Sequence, residues 1–259
     1  MIYHKNKMKK NGLLFLTLLF FILNSGLKNI SFGAANVPEL LGIPHDSMQL
    51  ILVLANQWSD FQAQMYLCEK VSGQWSVINS FPAVIGKKGL TWGNGAFIDN
   101  HGRKQEGDLK SPVGVFRLGK WMGYAPRLPV DNDFEYEQIK DTTEGIDDPA
   151  SVYYNQIIDA ATVKGDWHSF EKMKRIDGLY KWLIVIEYNP ENQPGAGSMI
   201  FLHIWRNQNS GTAGCTAIAE QNMIELFKWL DKKKDPVMVQ LPLPVYEVYQ
   251  VSGELPTVR

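Results

Sequence analysis

Cysteine is scarce in this chain: 259 residues hold only two, Cys68 and Cys215. That excludes a small disulfide-framed scaffold and a Cys-x-x-Cys redox pair. Metal-site spacing is missing too, since no second histidine or carboxylate lies at ligand distance along the chain from His203 or Cys215. There is no apolar run long enough to span a membrane comfortably: Leu13–Leu23, broken only by Thr17, falls short of the roughly 20 residues required. Internal repeats and low-complexity tracts are absent. Nor is there an excess of positive charge. Residues 1–35 hold five lysines and no acid; removing these from the 26 basic residues leaves 21 against 27 acidic ones. An acidic body has no electrostatic reason to bind nucleic acid.

What is present is an ordinary globular composition, 45% hydrophobic and 20% charged, which excludes a disordered chain. The N-terminal segment reads as a targeting signal. A basic stretch, Lys5 to Lys10, precedes the short apolar run, and the small residues Gly33, Ala34 and Ala35 follow. Cleavage before Asn36 is expected, leaving one domain over 36–259 and an exported chain without a transmembrane span. Export places the cysteines in an oxidising compartment, where an unpaired thiol points to reactivity. A Cys68–Cys215 disulfide is the bland alternative. Cys68 sits in the strand-like Gln64–Cys68 segment, where it serves as a small buried hydrophobe.

The apolar patterning is mostly that of strands. Gln49–Ala55, Ala63–Cys68 and Trp75–Asn79 read as a meander, with a turn at Ser72-Gly73. Val84–Gly107 is rich in glycine and charge and reads as a long loop or hairpin tips. Residues 121–180 carry few periodic runs and many Asp, Pro, Tyr and Trp, the mark of an inserted cap. Trp182–Tyr188 and Met199–Trp205 are the strongest strands and read as an antiparallel pair. Glu220–Leu230 reads as a helix whose Met223, Phe227 and Leu230 share a face. Val237–Leu241 and Val245–Val251 read as closing strands or an extended tail.

One polar residue interrupts these patterns in a telling place. His203 lies in Met199–Trp205, whose two faces are otherwise apolar. A buried imidazole needs a hydrogen-bond partner or a task. Twelve residues on, after a turn bearing Gly211 and Gly214, comes Cys215. A strand-borne histidine reaching a thiol on the adjoining loop is nucleophile-plus-base geometry. Backbone N–H groups at Ala213 and Gly214 are placed to meet an oxyanion. The order, histidine before cysteine, argues against papain-like and NlpC/P60-like peptidases.

Phe201-Leu202-His203-Ile204 followed by Gly211-Thr212-Ala213-Gly214-Cys215-Thr216-Ala217-Ile218 resembles the signature of YkuD-type L,D-transpeptidases. Pro112-Val113-Gly114-Val115-Phe116 is similar to a strand opening of that family, and Asp147-Asp148-Pro149, Tyr154-Asn155 and Tyr188-Asn189 resemble one of its branches. The resemblance covers roughly residues 50–245. Two positions depart from it: Ala213 stands where many members have a second histidine, and Ala217 where they have Arg or Asn.

The resemblance implies a mainly β, mixed sandwich-like catalytic domain with one prominent helix after the catalytic loop and a cap near 121–180. It implies a Cys215 nucleophile served by His203, peptidoglycan stem peptides as substrate, and no metal or organic cofactor. Thr212, Trp205, Tyr154 and Asn155 are expected to contact substrate. Transfer to an amine, hydrolysis as an L,D-carboxypeptidase, and a non-catalytic wall-binding module all stay open.

Overall fold

The structure is a computed structural model and describes residues 42–93, 100–251, 253 and 255–258. The expected targeting segment, residues 1–35, and its cleavage point lie outside the described residues. Among the described residues no helix is long and apolar enough to cross a membrane.

In chain order the elements begin with β1 (Gln49–Ala55), β2 (Gln62–Val71), β3 (Gln74–Val84), β4 (Leu90–Trp92) and β5 (Ser111–Gly123). The cap holds β6 (Tyr136–Gln138), β7 (Thr143–Gly145), β8 (Ile157–Asp159) and β9 (Glu171–Lys172). Then come β10 (Trp182–Ile186), β11 (Phe201–Ile204), β12 (Thr216–Ile218), α1 (Glu220–Trp229), β13 (Val237–Pro242) and α2 (Leu243–Val251).

β1 is apolar along almost its whole length and buried at every position, as a strand covered on both faces must be. It runs parallel to β13 on one side and antiparallel to β2 on the other. The larger sheet follows the order β10-β11-β12-β3-β2-β1-β13-β5, and β5 also pairs with β10. The sheet therefore closes on itself. The closure depends on the length of β5: Gly114–Arg117 pair with β13, and Leu118–Gly123 pair with β10. β4 and β6 attach to the two ends of β5. The mainly β class is as expected, and the long shared strand carries the sheet beyond two stacked layers into a ring.

α1 forms where the apolar period placed it. Met223, Phe227 and Leu230 are all buried. Phe227 stacks on Trp121 with ring centroids 4.5 Å apart, and Trp121 stacks on Phe134 at 4.3 Å. The Asn132 side-chain amide closes the helix by donating to Phe227 O and Leu230 O, both at 2.9 Å.

Four expectations need correction. Val245–Val251, read as strand or tail, lies in helix α2. Its β-branched and aromatic residues favour strand locally, but Tyr246 and Tyr249, three apart, are buried together, and Pro244 fits a first helical turn. Leu90–Trp92, read as loop, is a short strand because β5 offers it a parallel partner. The strand expected from Met199 begins only at Phe201, since Met199 has φ of 51°, in the left-handed region. Trp121 to Gly123 belong to β5, so the cap starts after Gly123 and contains its own three-stranded sheet, β8-β7-β9.

Two apolar clusters result. The larger lies within the ring and under α1. The smaller gathers Met122, Met173, Tyr180, Leu183, Phe201 and Cys215 on the side covered by the cap. The candidate site is built into this second cluster.

Candidate active site

β11 and β12 are parallel neighbours with His203 opposite Ala217 and Leu202 opposite Thr216. Cys215 thus enters β12 beside Phe201, whose backbone N–H donates to Sγ at 3.4 Å. The thiol itself donates to Met199 O at 3.3 Å. Both Cys215 and His203 are only 5% exposed.

The loop that delivers the cysteine is held by hydroxyl groups. Thr212 Oγ1 donates to Cys215 O at 2.6 Å and accepts from Gly214 N–H at 3.1 Å. Ser111 Oγ, at the start of β5, donates to Gly214 O at 2.6 Å and accepts from Gly86 N–H at 2.8 Å. Backbone bonds Thr212 N–H to Ile85 O and Lys87 N–H to Thr212 O, both 2.9 Å, seat the loop on the end of β3. Glycine is needed at 211 for this packing: a Cβ there would stand 2.7 Å from Lys87 Cα. Its role is close approach of two backbones.

His203 Nδ1 lies 2.8 Å from Ile204 O. A carbonyl oxygen only accepts, so Nδ1 carries the proton and Nε2 keeps its lone pair. Burial holds the imidazole down to about 4, only partly opposed by the Ile204 hydrogen bond. Burial likewise pushes the Cys215 thiol up to about 12, and the Glu171 carboxylate adds to this. The Phe201 N–H, Lys104 and Arg175 pull it back down. The resting pair is therefore neutral thiol and neutral imidazole, so proton transfer must accompany attack.

Cys215, His203, Ala213, Thr212 and Trp205 all line one cavity of about 200 Å³. Of the two expected oxyanion donors, Gly214 N–H is turned to Thr212 Oγ1, and Ala213 lines the cavity. Tyr154 and Asn155, expected at the substrate, lie outside this cavity. The Tyr154 hydroxyl donates to Glu106 at 2.6 Å and accepts from Gly197 N–H, in a buried polar knot with Ser198. The Asn155 amide donates to Tyr188 O and Asn189 O, and its Oδ1 accepts from Met199 N–H at 3.1 Å. Their work is to set the backbone before β11. His168 also stands apart, with an almost fully exposed side chain beside Asp148.

The cap contributes four cavity residues that sequence reasoning missed: Glu171, Arg175, Leu179 and Tyr180. The Tyr180 ring meets His203 edge-on at 5.1 Å and donates its hydroxyl to Glu171 at 2.6 Å. Arg175 lies over the Tyr180 ring, 5.2 Å from its centroid. Arg206, directly after Trp205, completes this side. Among the described residues the two cysteines are unbonded, and no group of three or more His, Cys, Asp or Glu side chains stands ready to hold a metal ion.

A family model, YkuD, described as an L,D-transpeptidase catalytic domain, matches residues 62–239. No curated protein sequence matches the chain. Among solved structures, one described as the structure of Bdellovibrio bacteriovorus Bd1075 aligns with a TM-score of 0.39 and 16% identity, over 74% of this chain. The chain spans 47% of the length of that protein.

Proposed function

This chain belongs to the YkuD family of L,D-transpeptidase catalytic domains, which act on peptidoglycan, and we propose that it cross-links stem peptides through a Cys215 thioester. The observation that carries the reading is the joint placement of Cys215 and His203 on one cavity, with His203 held so that Nε2 keeps its lone pair.

In this reading Sγ attacks the carbonyl carbon of a stem-peptide amide while His203 Nε2 takes the thiol proton. The carbonyl oxygen becomes an oxyanion beside the Ala213 backbone N–H on the cavity wall. The C–N bond breaks, His203 returns the proton to the leaving amine, and a thioester remains. An amine from a second stem attacks the thioester, passes its proton to His203, and restores the thiol. With water in place of that amine, the same steps give a shortened stem and a carboxypeptidase. Export through the N-terminal segment belongs to the same proposal, because the substrate lies outside the cytoplasm.

Incubating the protein with purified muropeptides and weighing the products tests this. Cross-linked dimers are expected, and Cys215→Ala should give none. Shortened monomers alone would mean the carboxypeptidase. No product and no Cys215 adduct from a well-folded chain would leave the wall-binding module.

A further inference from the structure

One cation of the chain stands where burial makes it costly. Lys104 is 4% exposed and is the only buried lysine or arginine among the described residues. Taking an ammonium out of water costs more than most ion pairs return, and an apolar side chain of similar volume commonly serves a fold as well. The pairing of Lys104 is complete: Nζ donates to Asp108 Oδ1 at 2.6 Å and to Gln105 O at 2.8 Å. Asp108 is fixed in turn by the Gln105 and Lys110 N–H groups, both at 2.9 Å. Backbone thus holds the carboxylate, and the carboxylate holds the ammonium.

The Lys104 stem lies between the two loops that set the thiol. A Cβ at Gly197 would stand 2.9 Å from Lys104 Cγ, and one at Gly214 would stand 3.8 Å from Lys104 Cε. Gly197 comes two residues before Met199, whose carbonyl the thiol meets, and Gly214 directly precedes Cys215. Filling that space needs volume alone. The charge reaches further: Lys104 draws the Cys215 thiol down without lining the cavity, so it acts from behind the loop. The other charges near the pair belong to the cap. Glu171 opposes the thiolate and Arg175 favours it, while Arg175 and Asp177 are the charges that act on His203. Tyr180 keeps its hydroxyl on Glu171. Glu106, two residues after Lys104, accepts from Tyr154 and Ser198, and Lys87, whose backbone packs on Gly211, is exposed. Lys104 therefore favours the thiolate without a matching penalty on the imidazolium that forms with it.

We propose that Lys104 is a positioning residue of the nucleophile: fixed by Asp108 behind the Gly214–Cys215 turn, the Lys104 ammonium stabilises the thiolate that forms as His203 Nε2 takes the proton. The Sγ–H bond breaks, the proton moves to Nε2, and the electron pair stays on sulfur. The proposal rests on the acyl-transfer reading for the task of that thiolate, and adds to it the charge that makes the thiolate accessible.

The test reads the thiol directly. The full chain is alkylated with iodoacetamide between pH 7 and pH 10, and the Cys215 adduct is counted by peptide mass spectrometry, separately from Cys68. Lys104→Met combined with Asp108→Asn removes both charges and keeps the volume, so it should melt in urea at or above the midpoint of the unaltered chain. Its Cys215 should nevertheless alkylate about threefold more slowly at pH 8, since the roughly tenfold loss of thiolate per pH unit is partly offset by a stronger nucleophile. Lys104→Met alone should be slower still, because Asp108 then stands unopposed. Asp108→Asn alone keeps the ammonium and an acceptor for it, so its Cys215 should alkylate faster than that of the unaltered chain. A wedge without an electrical role would not rank the four proteins by charge, and equal profiles would overturn the proposal. Should the lysine variants fail to fold, Asp108→Asn decides: faster alkylation supports the role of Lys104, and unchanged or slower alkylation overturns it. Acylation by a donor stem peptide, followed by intact-protein mass spectrometry, should fall in step with alkylation. Ranked alkylation with no donor adduct in any protein would overturn the acyl-transfer reading alone and leave the hold of Lys104 on the thiol standing.

Discussion

His203 is fixed by a single hydrogen bond from Nδ1 to its neighbour's carbonyl, and burial keeps the ring neutral well below its ordinary range. The sign of the consequence follows from linkage. Between about pH 6.5 and about pH 4 the unfolded chain takes up a proton that the folded chain refuses. Stability is therefore intact above pH 6.5 and falls as the pH drops through that window, by at most about 1.4 kcal/mol per pH unit. His203→Asn keeps a donor for Ile204 O and removes the titration, so urea melts of the two proteins at pH 7 and pH 4.5 should differ in slope against pH. The same variant should lose about 10² or more in acylation rate, the scale of losing a general base. Ser111 offers a second test at this scale. Its hydroxyl serves Gly86 N–H and Gly214 O at once, both buried. Ser111→Ala should cost about 1–3 kcal/mol in a denaturant titration. It should also slow acylation, because the Thr212–Cys215 loop loses its anchor. A stable, fully active variant would show that Thr212 alone holds the loop.

Among the elements, the turn into β11 does the most for the site. Met199 adopts a left-handed conformation, costly for a residue with a Cβ, and its carbonyl is the one the thiol meets. The Asn155 side chain pays for this by accepting from Met199 N–H while donating to two carbonyls after β10. Asn155→Asp keeps the acceptor and loses the donors, which leaves a carboxylate facing Tyr188 O and Asn189 O. It should destabilise the chain by about 2 kcal/mol or more and lower acylation without altering the donor preference. A change of preference with unchanged stability would place Asn155 at the substrate instead. Legibility in the sequence divides along the same line. His203 and Cys215 were readable because each breaks a local pattern: a polar residue in an apolar strand, and a cysteine at the end of a glycine-bearing turn. Tyr154 and Asn155 were legible only through the family resemblance, and their partners lie 33 to 48 positions away, beyond any local pattern. Glu171, Arg175 and Tyr180 lie in a cap without hydrophobic period, and only the β7–β9 pairing brings Glu171 round to the cavity. α2 was misread because local β propensity says strand, while the burial of Tyr246 and Tyr249 decides for helix.

At the scale of the molecule, the ring makes distant parts of the chain depend on each other. β1 has every residue buried, yet one of its two neighbours is β13, joined through Leu50 to Val237 and onward to Ala55 with Pro242. β13 in turn covers β5, whose first residue pins the catalytic loop. A chain ending at Asp235 lacks β13 and α2, so it exposes the apolar edges of both β1 and β5. Such a chain should be insoluble or devoid of cooperative unfolding, and its Cys215 should take no acyl group. Circular dichroism of the refolded fragment checks this; a cooperative melt would show that the ring closes without β13.

The pairing of β1 with β13 also sets a schedule. β1, the longest of the fully buried strands, leaves the ribosome well before its parallel partner, since Leu50 pairs with Val237. Until that partner arrives the sheet cannot close, so the chain is kept open from the emergence of β1 to that of β13. High contact order of this kind slows folding after release. A polypeptide with that timetable presents itself unfolded to whatever handles it before completion. The geometry that shelters Cys215 in the finished protein thus delays the appearance of an active thiol until the last strand is in place.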